Sequence, residues 1–157
     1  MERIVKGIWK ASLKNPFASI FMAQYLKSNK HANKLRRKAA DRGRNIPPFL
    51  IASITTSCNL HCKGCYARAN HNCFDGANEN HQVLTNEQWG SIFDQAQDLG
   101  ISFIILAGGE PMLREEVLIQ AGLHKKILFP VFTNGTMFSK RNLEFLSESP
   151  NLLPVLS

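Results

Sequence analysis

The stretch FLIASITTSCNLHCKGC, residues 49–65, decides how the rest of the chain is interpreted. Its first eight residues, 49–56, are mostly apolar or β-branched, which predicts a short buried strand. A loop rich in Cys, His, Asn and Gly begins at Ser57 and continues to about Leu84. The strand therefore leads directly into a loop that carries three closely spaced cysteines, which are Cys58, Cys62 and Cys65.

Strand and helix signals alternate after this loop. A capping box at Thr85–Gln88 predicts the start of a helix that ends near Gly100. The segments that follow are a strand at 101–107, a helix at 114–124, a strand at 127–132, a helix at 139–147 and a strand at 152–156. Alternation of this kind with continuous apolar strands predicts an α/β fold whose parallel strands are joined by right-handed crossovers.

Glycine-rich or polar turns follow two of these strands. Gly108-Gly109-Glu110-Pro111 follows the second strand, and Thr133-Asn134-Gly135-Thr136 follows the third. Because the carboxyl ends of parallel strands lie at one edge of a sheet, we expect both turns to meet the cysteine loop there. The first turn taken alone is also compatible with an ordinary tight turn, although its two glycines would let a small ligand approach the backbone.

The amino-terminal part of the chain differs from the remainder in charge. Residues 1–50 hold 12 basic and two acidic side chains, a net charge of +10, whereas residues 51–157 carry −3. Paired prolines at Pro47-Pro48 favour an extended segment at the change in composition. We therefore divide the chain into a basic amino-terminal extension, 1–46, and a main domain, 47–157.

The extension has the pattern of helices. Apolar residues from Ile4 to Leu13 recur at helical spacing, Asn15-Pro16 ends that helix, and a second apolar stripe begins at Phe17. A short basic run at 34–38 predicts a third helical stretch. In the simplest interpretation the extension packs its apolar face on the main domain. Contact of residues 1–45 with an anionic membrane surface is a second interpretation, and nucleic-acid binding is disfavoured because no base-reading motif is present.

Composition limits the class of protein. The 157 residues are 44% hydrophobic and 20% charged, which is typical of a globular rather than a disordered protein. No apolar run approaches the ~18 residues of a membrane span, and Lys6 and Lys10 interrupt any secretion signal. We expect a cytoplasmic, reducing location, where cysteines are more often ligands or free thiols than disulfides.

The cysteine spacing allows one loop to direct three sulfurs at a common centre. Three thiolates can hold three corners of a [4Fe–4S] cluster and leave the fourth iron open, whereas electron-transfer clusters use four cysteines. Zinc is an alternative, and incidental thiols are another. The residues that could complete a zinc site are Cys73, His61 and His71. We interpret Cys73 as a free thiol, with an extra ligand or a structural role as the alternatives.

Together the strand-end motifs resemble those of the radical S-adenosylmethionine (radical SAM) superfamily. The matching segments are Cys58–Cys65, Gly108–Pro111 and Thr133–Gly135, and the resemblance covers residues 49–157. The cysteine segment is most similar to the broad branch of molybdenum-cofactor-synthesis and peptide- or sulfatase-maturing enzymes. The resemblance implies the first half of a parallel (βα)6 partial TIM-type barrel. We expect a truncated chain, because only about three and a half strand–helix units are visible.

The resemblance also implies a set of ligand-binding residues. Those expected to ligate a [4Fe–4S] cluster are Cys58, Cys62 and Cys65. Those expected to contact S-adenosylmethionine are Gly108, Gly109, Glu110, Pro111, Asn134 and Tyr66. Many members of the family carry an aromatic residue just before the third cysteine, whereas this chain has Gly64 there and an aromatic residue, Tyr66, only after that cysteine.

The implied activity is that of an enzyme. The reduced cluster would cleave S-adenosylmethionine to a 5′-deoxyadenosyl radical, which would abstract hydrogen from an unidentified small-molecule or peptide substrate. An electron donor such as flavodoxin or ferredoxin would supply the electron. An inactive fragment that retains the cluster site is also compatible with the short chain. The rival interpretations are a zinc-binding or nucleic-acid-binding module without catalysis, and a simple electron carrier.

Overall fold

Four parallel strands form one sheet in the order β1-β2-β3-β4. The structure is a computed structural model that describes residues 16–73 and 83–157. The strands are β1 Leu50–Thr55, β2 Ile104–Gly108, β3 Phe129–Thr133 and β4 Leu152–Leu156. Each strand therefore pairs with the next one along the chain, which confirms the predicted α/β fold with parallel strands and is consistent with part of a TIM-type barrel.

Five helices are described around this sheet. They are α1 Pro16–Ala40, α2 Tyr66–Ala69, α3 Asn86–Asp98, α4 Glu115–Leu123 and α5 Lys140–Glu148. A short 3₁₀ helix, Pro111–Leu113, connects β2 to α4. The bounds of α3, α4 and α5 agree with the predicted segments to within a few residues.

The predicted capping box starts α3. The Thr85 hydroxyl accepts a hydrogen bond from the Gln88 amide (3.2 Å), and the Gln88 side-chain oxygen accepts one from the Thr85 amide (2.8 Å). This reciprocal pair satisfies two backbone donors that the first helical turn leaves unpaired. It fixes where the chain returns from the cysteine loop to the regular fold.

The main core lies where α3 and α4 cover the sheet. Phe93 of α3 and Phe129 of β3 are fully buried, and their rings meet edge to face with centroids 5.0 Å apart. The buried aliphatic residues that surround them are Ile54, Ile104, Leu106, Val117, Leu118, Ile127 and Val131. Burial of this apolar surface is the main stabilising contribution to such a domain.

The extension forms one long helix where it is described. The sequence pattern predicts two helical segments, at the stripe that begins at Phe17 and at the basic run 34–38, but α1 is continuous over 25 residues. Pro16 occupies its first position, where the missing amide has no helical partner to lose. The predicted first helix, Ile4–Leu13, lies outside the described residues. The division into 1–46 and 47–157 stays a prediction.

Helix α1 packs on the loop that leads into β2. The Ser102 hydroxyl donates to the Asn29 side-chain oxygen (2.7 Å), and the Arg36 guanidinium donates to the Gly100 carbonyl. Gly100 has a φ of +85°, and a Cβ there would lie 2.6 Å from the Ala32 carbonyl oxygen. Close approach of α1 therefore depends on this glycine. Among the residues that the structure describes, no helix is both long and apolar enough to cross a membrane.

An irregularity at the end of β1 directs the chain into the cysteine loop. The pairing register between β1 and β2 shifts between Ser53 and Thr55, so that Thr55 lies opposite Gly108. Such bulges re-aim the chain at the rim of a sheet, often beside a functional site. Gly108, with a φ of +138°, lies so near that a Cβ would be 2.2 Å from the Thr55 carbonyl oxygen.

Candidate functional site

Two of the three motif cysteines lie at the ends of one tight turn. The Cys65 amide donates to the Cys62 carbonyl (3.2 Å), and Gly64 between them has a φ of +79°. That conformation at the third residue is typical of a type II turn and favours glycine, so an aromatic side chain at position 64 would be strained in this turn. The turn keeps the two Cα atoms within about 7 Å of each other.

The first cysteine lies between this turn and β1. Its sulfur accepts a long hydrogen bond from the Leu60 amide (3.5 Å), and the Arg68 guanidinium of α2 donates to the Leu60 carbonyl (3.0 Å). Cys62 is exposed, and Cys58 and Cys65 are partly exposed. All three sulfurs are therefore on a folded loop whose surface is accessible to a ligand.

The glycine turn after β2 is hydrogen-bonded to the cysteine loop. The Gly109 amide donates to the Thr55 carbonyl (2.9 Å), and the Glu110 amide donates to the Ser57 carbonyl (2.8 Å). A Cβ on Gly109 would lie only 2.1 Å from the Ser57 carbonyl oxygen. A side chain at position 109 would therefore clash with the backbone of the cysteine loop, which is a reason for glycine in addition to the predicted approach of a ligand. The residue before the first motif cysteine is thus fixed to the turn.

The carboxylate of Glu110 joins two turns. It is 1% exposed and accepts three hydrogen bonds, from the Met112 amide (2.9 Å), the Thr133 hydroxyl (2.7 Å) and the Asn134 amide (2.8 Å). An ionised carboxylate has about four acceptor positions, so these donors leave room for roughly one more. These three bonds tie the 3₁₀ helix and the turn after β3 to one buried side chain, so Glu110 holds the two turns together.

The turn after β3 reaches both of the others. Besides its bond to Glu110, Asn134 donates through its side-chain amide to the Asn59 side-chain oxygen (3.0 Å) in the cysteine loop. These contacts confirm that the three predicted turns meet at the carboxyl edge of the sheet. Pro111 lies at the same junction, because it begins the 3₁₀ helix that follows Glu110 and is buried.

Other residues singled out by the sequence have different environments. The side chain of Tyr66 is 79% exposed at the start of α2, so the structure does not bring it into the junction of the three turns. Cys73 is buried. The pKa of its thiol is raised, mainly by burial and also by the nearby Cys58 and Cys65, while Arg68 acts in the opposite direction.

The described part of the chain holds no pre-formed site for a single metal ion. Within residues 16–73 and 83–157, no three side chains of His, Cys, Asp or Glu are grouped closely enough to coordinate one ion. A structural zinc ion needs four ligands at about 2.0–2.3 Å from one point. The thiolates that bind a [4Fe–4S] cluster can lie farther apart from one another, since each thiolate binds a different iron atom.

Sequence reasoning did not assign a role to several side chains that build this site, although two of them, Thr133 and Thr136, lie in the predicted turn after the third strand. Asn59, Thr133, Thr136 and Arg68 hold the loops in place through side-chain hydrogen bonds. The residue types gave a partial signal, because Asn and Thr are common in turns where their side chains bond the local backbone. Nothing in the sequence indicates that Asn59 pairs with a residue 75 positions later.

Comparisons with known proteins agree on one family. The model of the radical SAM superfamily matches residues 52–156. Fe-coproporphyrin III synthase of Methanosarcina barkeri (strain Fusaro / DSM 804) is 27% identical over 125 residues, which are 78% of this chain and 30% of that protein.

Solved structures of SuiB from Streptococcus suis are also similar. SuiB bound to its precursor peptide SuiA has a TM-score of 0.57 and 26% identity, and covers 81% of this chain and 28% of SuiB. SuiB bound to S-adenosylmethionine has a TM-score of 0.56 and 27% identity, with 81% and 27% of the two chains covered. The chain therefore spans less than a third of each of these relatives.

Proposed function

The chain belongs to the radical SAM superfamily, and we propose that it binds a [4Fe–4S] cluster and S-adenosylmethionine at the carboxyl edge of its sheet. Members of this superfamily use both cofactors. The observation that carries the proposal is the bond from the Glu110 amide to the Ser57 carbonyl (2.8 Å), which joins the glycine turn to the cysteine loop. Both proposed cofactor sites are thereby adjacent.

The donor set of the loop fits the cluster. Thiolates are the usual ligands of iron–sulfur clusters, and the loop offers three of them on exposed or partly exposed side chains. Three thiolates would leave one iron for another ligand, in contrast to an electron-transfer cluster with four cysteines. The proposed ligands are Cys58, Cys62 and Cys65. The zinc-binding alternative has no support from the described residues or from the relatives.

The glycine turn fits the amino-acid part of S-adenosylmethionine. An ammonium group needs acceptors, and the turn offers the backbone carbonyls of its two partly exposed glycines. The Glu110 carboxylate lies directly behind them, buried and bonded to three donors. The proposed contacts in this turn are Gly108, Gly109, Glu110 and Pro111. Asn134 is a further proposed contact because it lies beside this turn, whereas the exposed Tyr66 has only the family resemblance in its favour.

We propose that the chain acts as, or within, a radical SAM enzyme of the cytoplasm. When bound, the cluster would supply one electron to cleave S-adenosylmethionine into methionine and a 5′-deoxyadenosyl radical, which would take a hydrogen atom from the substrate. The chain's own contribution is to hold three thiolates and a glycine turn next to each other. An electron donor such as flavodoxin or ferredoxin is required. SuiB, which binds a precursor peptide, supports a peptide as the substrate class, with a small molecule as the alternative.

Anaerobic reconstitution of the full chain tests the cluster. With iron and sulfide, the wild type should take up about four irons and show broad visible absorption. Cys62→Ala should abolish the cluster, whereas the matched variant Cys73→Ala should retain it. A full cluster in Cys62→Ala would contradict the ligand assignment, and zinc without iron in the anaerobically purified wild type would favour the zinc module.

S-adenosylmethionine binding needs a separate measurement. The EPR spectrum of the reduced cluster should change when S-adenosylmethionine is added, because the proposed open iron gains ligands. An unchanged spectrum at saturating S-adenosylmethionine would instead indicate a simple electron carrier. The comparison uses the same reconstituted wild-type sample before and after addition, so differences in iron loading do not affect it.

A further inference from the structure

Three polar side chains close a ring of hydrogen bonds between the cysteine loop and the turn after β3. Asn134 Nδ2 donates to Asn59 Oδ1 (3.0 Å), Asn59 Nδ2 donates to Thr136 Oγ1 (2.8 Å), and Thr136 Oγ1 donates to Asn134 Oδ1 (2.6 Å). Each amide both donates and accepts within the ring. Flipping Asn59 would set its donor against Asn134 Nδ2, and flipping Asn134 would set its acceptor against Asn59 Oδ1, so each amide fixes the orientation of the other.

The ring is part of a longer connection that encloses the first motif cysteine. Before Cys58, the Ser57 carbonyl accepts from the Glu110 amide; after it, Asn59 is paired with Asn134. The Asn134 amide in turn donates to the Glu110 carboxylate (2.8 Å), which closes the connection. Both neighbours of Cys58 are therefore tied to turns that lie far away in sequence.

We propose that this ring, the amide clasp of Asn59, Asn134 and Thr136, fixes Cys58 in place and so sets the position of the cluster relative to the glycine turn. The three residues are positioning residues, since they act through Cys58. This inference rests on the proposed function where it concerns the cluster, and on the hydrogen bonds alone where it concerns the loop.

The other two motif cysteines are held differently. Cys62 and Cys65 are the ends of one type II turn, which is closed by a bond between neighbours in sequence. Loss of the amide clasp should therefore loosen Cys58 and leave the other pair nearly unchanged. Because the clasp is exposed to water, each bond contributes modestly, and we expect the loss of two bonds to change a local equilibrium roughly tenfold.

The loop can be tested without any cofactor. In the cluster-free full chain, the rate of alkylation of each cysteine by iodoacetamide is followed by peptide mass spectrometry. Thr136→Val removes the hydroxyl with little change in shape, and should raise the rate at Cys58 roughly tenfold. Thr136→Ser keeps the hydroxyl and should restore the wild-type rate. The rates at Cys62 and Cys65 should stay within about twofold of wild type in both variants.

Asn70→Ala is the matched control for loss of an amide. Asn70 lies just after α2 in the same segment, and among the described residues its side-chain amide donates to a carbonyl four positions earlier, that of Tyr66 (2.9 Å). The control should leave the Cys58 rate unchanged, whereas Asn134→Ala should raise it as Thr136→Val does. Equal rates at Cys58 in wild type and Thr136→Val, or equal increases at all three motif cysteines, would overturn the proposal.

The second part uses the reconstituted protein. Thr136→Val should keep nearly the wild-type iron content, while the S-adenosylmethionine concentration at half-maximal EPR change rises roughly tenfold, the lower end of what changes outside the direct ligands cost at metal sites. Thr136→Ser should restore the wild-type midpoint. A wild-type midpoint in Thr136→Val would refute the role in cofactor position. Failure of wild type to bind a cluster would refute the proposed function instead, and the alkylation result would still decide whether the clasp holds Cys58.

Discussion

The two ends of the sheet are held together by different kinds of contact. At the amino end, α1 packs on the approach to β2, with Phe21 and Met22 buried and a buried hydroxyl, Ser102, bonded to Asn29. At the carboxyl end, the turns are joined by backbone amides, one buried carboxylate and exposed side-chain amides. The amino end is thus joined mainly by packing of a helix, whereas the carboxyl end is joined by hydrogen-bonded turns whose cysteines are exposed or partly exposed.

Cavity size does not identify the functional end. A cavity of about 660 Å³ lies at the amino end between α1 and the end of α3, and its lining includes Lys27, His31, Asp98 and Lys126. Those side chains come from segments that precede the strands, whereas the cysteines and the glycine turn follow them. In this fold the chemistry of the strand-end loops is more informative than the volume of a cavity.

Two glycine substitutions give the strongest test of the difference between the two ends of the sheet. Gly109→Ala and Gly100→Ala each place a Cβ against a backbone carbonyl, 2.1 Å from Ser57 at one end and 2.6 Å from Ala32 at the other. Both should destabilise the fold, but only Gly109→Ala must displace the cysteine loop. We expect it to lower iron uptake on reconstitution by about tenfold or more, which is the range for changes beside metal ligands.

Iron content per folded chain is the measurement for this pair. Gly100→Ala serves as the control, because it adds a clash at the opposite end of the sheet and places a side chain at a residue whose φ is already positive. It should lower the free energy of unfolding by about 2 kcal/mol or more and leave the iron content of the folded fraction unchanged. Equal loss of iron in both variants would show that the two ends are not independent.

The buried carboxylate gives the next largest effect. Glu110→Gln places an amide where Oε2 accepts from the Asn134 backbone amide and Oε1 accepts from two donors, so at least one bond becomes a contact between donors. We expect the free energy of unfolding of the cluster-free chain to fall by about 2–3 kcal/mol, measured by urea denaturation.

Glu144→Gln is the matched control for this change. Glu144 is exposed on α5 and lies 4.0 Å from Lys140. Loss of this exposed ion pair should lower the free energy of unfolding by no more than about 0.5 kcal/mol. A similar loss of stability in both variants would show that the three hydrogen bonds at Glu110 contribute little to the junction of the turns.

The order of strands and helices was predictable because it depends on local patterns. The strand β4, the capping box at Thr85–Gln88 and the parallel pairing follow from apolar runs, cap residues and alternation. The continuity of α1 was not predicted, although the sequence between Phe17 and the basic run at 34–38 contains no strong stop signal, because the apolar stripe and the basic run were interpreted as separate helical segments. Propensity is a weak guide where nothing breaks a helix.

The motifs of the candidate site were predictable from the sequence, but the contacts that hold its loops in place were not. The cysteine spacing and the glycine turn could be placed at one edge, because parallel strands align their carboxyl ends. The close approach of Gly109 to the Ser57 carbonyl was not predicted, since it depends on a carbonyl in another loop. The pairing of Asn59 with Asn134 depends on tertiary distances that no local pattern encodes.

The smallest expected effect belongs to the amino end. Ser102→Ala removes the donor to the Asn29 oxygen (2.7 Å) in a buried position, so the free energy of unfolding should fall by about 1 kcal/mol, which corresponds to about 3 °C in Tm. Ser91→Ala, at an exposed hydroxyl that accepts from Gln95, should change it by less than about 0.5 kcal/mol. Neither variant should alter the S-adenosylmethionine midpoint, because the bond lies at the end of the sheet away from the cysteine loop. If Ser102→Ala shifted the S-adenosylmethionine midpoint as much as Thr136→Val is expected to, α1 would act on the cofactor site through the sheet. The two ends of the sheet would then not be independent.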